Sequence, residues 1–91
     1  MENDLSKLRN EIDKVDQQLV ALFAKRLQLV TRIGEVKTKQ GESIYVPERE
    51  AELLAKRRAE AEALGVPPDL IEDVLRRAMR ESYNSEKNEI V

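Results

Sequence analysis

Cysteine, histidine and tryptophan do not occur in this chain, and each absence removes a class of chemistry. Without cysteine there is no disulfide framework and no thiolate ligand; without histidine the usual zinc sites and the usual general base are missing. Any catalysis falls to carboxylates, amines, guanidiniums or hydroxyls, and no metal site or cofactor motif is expected. Long apolar runs are also lacking. No window approaches the roughly 20 apolar residues of a membrane helix, and Met1 to Leu8 lacks the apolar stretch of a signal peptide, so the sequence reads as cytoplasmic and free of membrane contact. Nor does one sign of charge prevail: 16 basic and 18 acidic residues give a net charge of -2 and are interspersed, which leaves no footprint for nucleic acid.

What is present points to helices. Charged residues make up 37% and apolar residues 41% of the 91 positions, with only 3 Gly, 3 Pro and 3% aromatics. That composition suits one all-α domain spanning residues 1–91. From Leu5 onward apolar residues recur at spacings of three and four: Leu5, Leu8, Ile12, Val15, Leu19, Leu22, then Leu29, Ile33 and Val36. This predicts one long amphipathic helix from about Asn3 or Asp4 to about Lys39, stopped at Gly41. After Glu42 to Val46, Pro47 can open a second helix, with the acidic Glu48 and Glu50 in its first turn and Leu53, Leu54, Ala55 and Leu64 as its apolar positions. Gly65, Val66, Pro67, Pro68 and Asp69 break the chain and start a third helix through Leu70, Ile71, Val74, Leu75, Ala78 and Met79, expected to fray after Glu86.

One long helix and two short ones do not match. At about 1.5 Å per residue the first is roughly 50 Å long and the others about 25 Å each. A hairpin of the second and third helices is expected to hide about half of the apolar stripe on the first and to leave the rest bare unless a second copy covers it. The expected architecture is therefore an intertwined homodimeric helical bundle; an elongated monomer or a plain coiled coil is the alternative.

The apolar pattern is interrupted at particular positions. Arg26 stands where the three-four spacing past Leu22 calls for another leucine, so it either faces an anion or snorkels out on its long stem. Lys37, eleven residues on, lies within about 20° of the same helix face and about 16 Å along the axis. Arg9 is seventeen residues, about 25 Å, from Arg26, too far to share a ligand within one chain. An antiparallel partner brings it there if the two-fold axis falls near residue 20. In the third helix, Ser82 and Glu86 extend the inward positions with polar groups, either a fraying last turn or part of a site. Arg49 and Glu50 open the second helix, where Glu50 suits the positive helix end and Arg49 alone reads as a surface residue. Taken singly, Arg9 and Lys37 also read as solvated charges.

Three segments together, LRNEIDKVDQQLVALFAKRLQLVTRIGEVK, YVPERE and RRAEAEALGVPPDLIEDVLRRAMRES, closely resemble the all-helical chorismate mutase family over almost the whole chain. The resemblance is greatest to the mutase domain that opens the bifunctional chorismate mutase/prephenate dehydrogenases of enteric bacteria, the tyrosine-branch enzymes. It implies an isomerase that converts chorismate to prephenate in aromatic amino acid biosynthesis, without cofactor or covalent intermediate, from an intertwined dimer. By position it implies that Arg9 crosses from the neighbouring subunit and that Arg26 and Arg49 bind the two substrate carboxylates. Lys37 would contact a carboxylate and the ether oxygen of the breaking bond, Glu50 would hold the ring hydroxyl, and Ser82 would lie near a carboxylate.

Two positions depart from the family pattern. Some relatives have an acidic residue at Val46, so any contact to the ring hydroxyl there would be through the main chain. Glu86 stands where some relatives carry glutamine, a neutral donor to the ether oxygen. A carboxylate cannot donate, so Glu86 must be protonated for that work; desolvation raises a carboxyl pKa while Lys37 and the arginines lower it. The resulting expectation is activity that declines as pH rises, with a flatter profile in Glu86→Gln. Within the same fold an isochorismate-pyruvate lyase would use a similar cationic pocket. A non-catalytic helical dimerisation module would tolerate loss of Arg26, Lys37 and Glu86.

Overall fold

The computed structural model describes residues 3–41 and 47–90, with side chains through 84. Three helices follow in order: α1 (Asp4–Gln40), α2 (Pro47–Ala63) and α3 (Pro68–Ile90). Their ends are set by local chemistry. Asn3 caps α1, its side-chain oxygen accepting from the Ser6 N–H at 2.7 Å. Gly41 ends it in the left-handed region at φ 72°, with its N–H turned back to the carbonyls of Lys37 and Thr38. Gly65, at φ 76°, closes α2: its N–H donates to Glu62 O and the Val66 N–H reaches Ala61 O at 2.8 Å, the paired bonds of a Schellman turn. Pro68, with no N–H to satisfy, then opens α3.

The third helix runs four residues past the expected fraying point at Glu86, to Ile90. Residues 85–90 contain no glycine or proline and include Glu86, Lys87 and Glu89, all good helix formers, so nothing local stops the helix.

The packing corrects a second expectation. α3 is the shared element, lying against α1 on one side and α2 on the other, and among the described residues no Cα of α2 comes within 8 Å of one in α1. The α2–α3 hairpin therefore does not lie on α1 as a unit. Val30 and Gly34 are the buried residues of α1, flanked by the half-buried Arg26 and Lys37. At ~100° per residue that line is rotated from the mean direction of the Leu5–Val36 stripe by roughly 45°. The stripe is not covered over one half of its length but left open along all of it: each of its nine apolar residues is 47 to 62% exposed. The core of the single chain is correspondingly small, formed by Val30, Leu54, Ala61 and Met79. The molecule measures 61 × 26 × 14 Å, and the N-terminal half of α1 projects as an arm in which every residue from 4 to 25 is exposed.

Candidate active site

Where the C-terminal half of α1 meets α2 and α3, a cavity of about 170 Å³ opens. Among the described residues three cations line it: Arg26 and Lys37 from α1, and Arg49 from the first turn of α2. Glu50, next in that turn, is the one acidic residue of the lining among the described residues, and Ser82 and Tyr83 of α3 complete the polar set. Val30, Ile33, Leu53 and Met79 form the apolar part of the wall. Five of the eight residues singled out from the sequence are thus brought together from three helices. Arg9 is exposed on the projecting arm and does not line the cavity of its own chain. Val46 lies outside the described residues, as does the side chain of Glu86.

Arg26 does not simply snorkel. Its Nη1 donates to Ser82 Oγ at 2.7 Å, and that hydroxyl in turn donates to the Ala78 carbonyl at 2.9 Å. Ser82 is only 5% exposed, so its hydroxyl needs both partners. The serine that interrupts the apolar stripe of α3 therefore fixes the guanidinium that interrupts that of α1. One hydrogen bond to a neutral hydroxyl does not offset the guanidinium's charge, and most of its five donors remain for an anion.

Glu50 is anchored from α3 by two residues that the sequence reading did not single out. Tyr83 Oη donates to Glu50 Oε2 at 3.0 Å, and Arg76 Nη1 lies 3.4 Å from Oε1. Arg76 is itself held by Glu72, Nε to Oε2 at 2.9 Å, and Glu72 Oε1 accepts from Arg58 at 3.0 Å, which also reaches Asp69 at 2.9 Å. The hydrogen bond from Arg76, reinforced by the charges of both arginines, pulls the Glu72 pKa below the ordinary carboxylate value. The same contacts raise Arg76, chiefly through Glu72, and Arg58, chiefly through Asp69. Arg76 and Tyr83 are seven residues apart on one face of α3, a spacing visible in the sequence; that the face meets Glu50 is not.

Such an arrangement suits a compact dianion with a hydroxyl: cations on two walls, a fixed carboxylate as acceptor, and an apolar floor. A wider apolar groove on the same α1–α3 junction, about 510 Å³, runs past Phe23, Leu27, Val74 and Ala78 and shares Arg26 with the cavity.

Relatives with known names carry the same segments. T-protein of Enterobacter agglomerans is 67% identical over 93% of this chain, and T-protein of Haemophilus influenzae is 58% identical over 90%. The chain spans 23% and 22% of their lengths, under a quarter of each. The structure of a chorismate mutase (form II) from Thermus thermophilus superposes with a TM-score of 0.85 at 30% identity, covering 93% of this chain and 96% of that one. Residues 8–87, which hold nearly all of the three helices and the whole described cavity, match the profile of chorismate mutase type II, and the chain belongs to that family.

Proposed function

We propose that this chain catalyses the rearrangement of chorismate to prephenate, a step of aromatic amino acid biosynthesis, in the cytoplasm and as a homodimer. The observation that carries the reading is the convergence of Arg26, Lys37, Arg49 and Glu50 on one cavity, which suits chorismate's two carboxylates and ring hydroxyl. The reaction is unimolecular: the ether C–O bond breaks as a new C–C bond forms, and no proton, electron or group is exchanged with the protein. Positioning and fixed charge therefore suffice, without a cofactor. Arg26 and Arg49 bind the carboxylates and select the folded conformer in which the two carbon termini meet. Lys37 opposes the negative charge that grows on the ether oxygen as its bond lengthens. Glu50 accepts the ring hydroxyl. Ser82, through Arg26, keeps the first guanidinium aimed. Val46 contributes a main-chain contact, and Glu86, when protonated, donates to the ether oxygen, so activity falls with rising pH and Glu86→Gln flattens the profile.

The bare stripe of α1 supports the dimer. Nine apolar side chains about half exposed along one face constitute a large uncovered surface for a chain of 91 residues, and a second antiparallel copy of α1 offers the matching face. About the two-fold axis near residue 20, that copy brings its Arg9 to the cavity as a further cation. No described helix is long and apolar enough to cross a membrane.

The test is loss of chorismate absorbance with purified protein, beside Arg26→Ala, with the product assayed by acid conversion to phenylpyruvate. Turnover that yields phenylpyruvate and disappears in Arg26→Ala is expected; a folded dimer with no turnover would refute the proposal and leave a helical dimerisation module.

A further inference from the structure

Glu50 stands in a setting that works against its proposed task. It lines a cavity with Arg26, Lys37 and Arg49, so Coulomb attraction draws its carboxylate toward the cations that the substrate's carboxylates need. A collapsed ion pair there would quench two subsites at once. The described structure shows no such pair between Glu50 and either Arg26 or Arg49. Instead both carboxylate oxygens are engaged from α3, Oε2 by the hydroxyl of Tyr83, which lines the same cavity, at 3.0 Å and Oε1 by Arg76, which does not, at 3.4 Å. The side chain of Glu50 is 18% exposed, so these contacts operate partly out of water, where a charge-assisted hydrogen bond is stronger. Arg76 is half exposed but tethered: Glu72 accepts from its Nε, and Arg58 donates to Glu72.

We propose that Tyr83 and Arg76 are positioning residues that hold the Glu50 carboxylate away from the anion-binding cations and aim its remaining lone pairs at the ring hydroxyl of the substrate. A carboxylate has about four lone-pair directions, and two are taken from α3, which leaves acceptor capacity on the cavity side. The hydroxyl of Tyr83 is the specific element. Removing it leaves the ring, and so the packing of α3, while freeing one oxygen of Glu50 to swing. The inference rests on the reading of Glu50 as the acceptor of the ring hydroxyl, and it assigns the orientation of that acceptor to α3.

Steady-state kinetics of Tyr83→Phe, Arg76→Gln and Glu50→Gln test it, each with chorismate and with the analogue whose ring hydroxyl is replaced by hydrogen. For a hydrogen bond to a charged group, kcat/KM for chorismate is expected to fall about tenfold in Tyr83→Phe and by a similar factor in Arg76→Gln. On the deoxy analogue both variants should lose clearly less than on chorismate, because the oriented acceptor has nothing to receive and only the pull of the freed carboxylate on the cations remains. A loss of equal size on both substrates would overturn the proposal, since it would mark Tyr83 and Arg76 as structural. If Glu50→Gln loses activity on chorismate while Tyr83→Phe and Arg76→Gln do not, the positioning role fails and the reading of Glu50 survives. An unchanged kcat/KM in Glu50→Gln would sink both.

Discussion

The two halves of α1 share one helix, one apolar periodicity and nearly the same density of charge, yet they meet different fates. From Phe23 to Gln40 the helix is braced by α3, buries Val30 and Gly34, and offers Arg26 and Lys37 to a cavity. From Asp4 to Leu22 no described residue of the chain covers its apolar face, and Leu5, Leu8, Ile12, Val15, Leu19 and Leu22 remain in water. An isolated helix of this kind has little reason to persist, because most helical stability in proteins comes from packing an amphipathic face. The braced half is therefore the part that one chain can build for itself, whereas the arm is the part that needs the proposed second copy. In the proposed dimer each half completes the other, the arm covering a partner's stripe and delivering Arg9 to a partner's cavity.

The largest effect is expected from attacking the arm. Val15→Glu with Leu19→Glu places two charges on each copy of the face near the proposed two-fold axis, where burying an unpaired charge costs several kcal/mol. Sedimentation or light scattering should find a monomer, and chorismate turnover should vanish; an active monomer would break the comparison, since it would make the arm dispensable. Next comes the braced half. Arg26→Lys keeps the charge and loses the planar fork, and kcat/KM should drop by about 10²–10³ with the dimer intact. Joining the two halves gives a sharper result. Arg9→Ala and Arg26→Ala should each be nearly inactive, but mixed and reassorted dimers should recover about a quarter of wild-type activity, because half the dimers are hybrids with one intact site each. No recovery on mixing would place Arg9 and Arg26 in the same site of one chain, or in none.

The smallest effect lies in the ion network that ties α2 to α3 behind the cavity. Glu72 has a depressed pKa through Arg76 and Arg58, so its contribution to stability is present above the ordinary carboxylate value and is lost as pH falls through its folded value. Glu72→Gln should lower the Tm by about a few degrees at neutral pH, and the gap should close in acid. A gap that persists below that range would mean that packing, not charge, is what the residue supplies. These charges are partly exposed, so solvent screening keeps the effect modest.

Much of this is legible without any coordinates. Asn3, Gly41, Pro47, Gly65 and Pro68 mark the helix ends because caps and breakers act through neighbouring backbone groups, and the observed limits fall within a residue or two of the expected ones. The end of α3 is the exception, since no such residue stands after Glu86. Arg26 is conspicuous as a charge in an apolar row, and Ser82 as a polar extension of another; their contact across 56 residues is not. Tyr83 and Arg76 escape notice because a tyrosine and an arginine near the end of a charged helix are ordinary in isolation. The apolar stripe of α1 is plain in the sequence but is assigned in part to the wrong neighbour, because periodicity names a face without naming what packs against it.

The sequence by itself determined the all-α class, the three helices and the identities of the charges available for chemistry, since spacing, capping and side-chain type are local properties. Tertiary structure alone decided that α3 rather than the hairpin lies on α1, that Ser82 holds Arg26, and that Tyr83 and Arg76 tie both oxygens of Glu50. Those contacts join residues 26 to 56 positions apart, and whether they form depends on how one helix is rotated and crossed against another. That choice is made by the summed packing of Val30, Leu54, Ala61 and Met79, a collective quantity that no single position of the sequence carries.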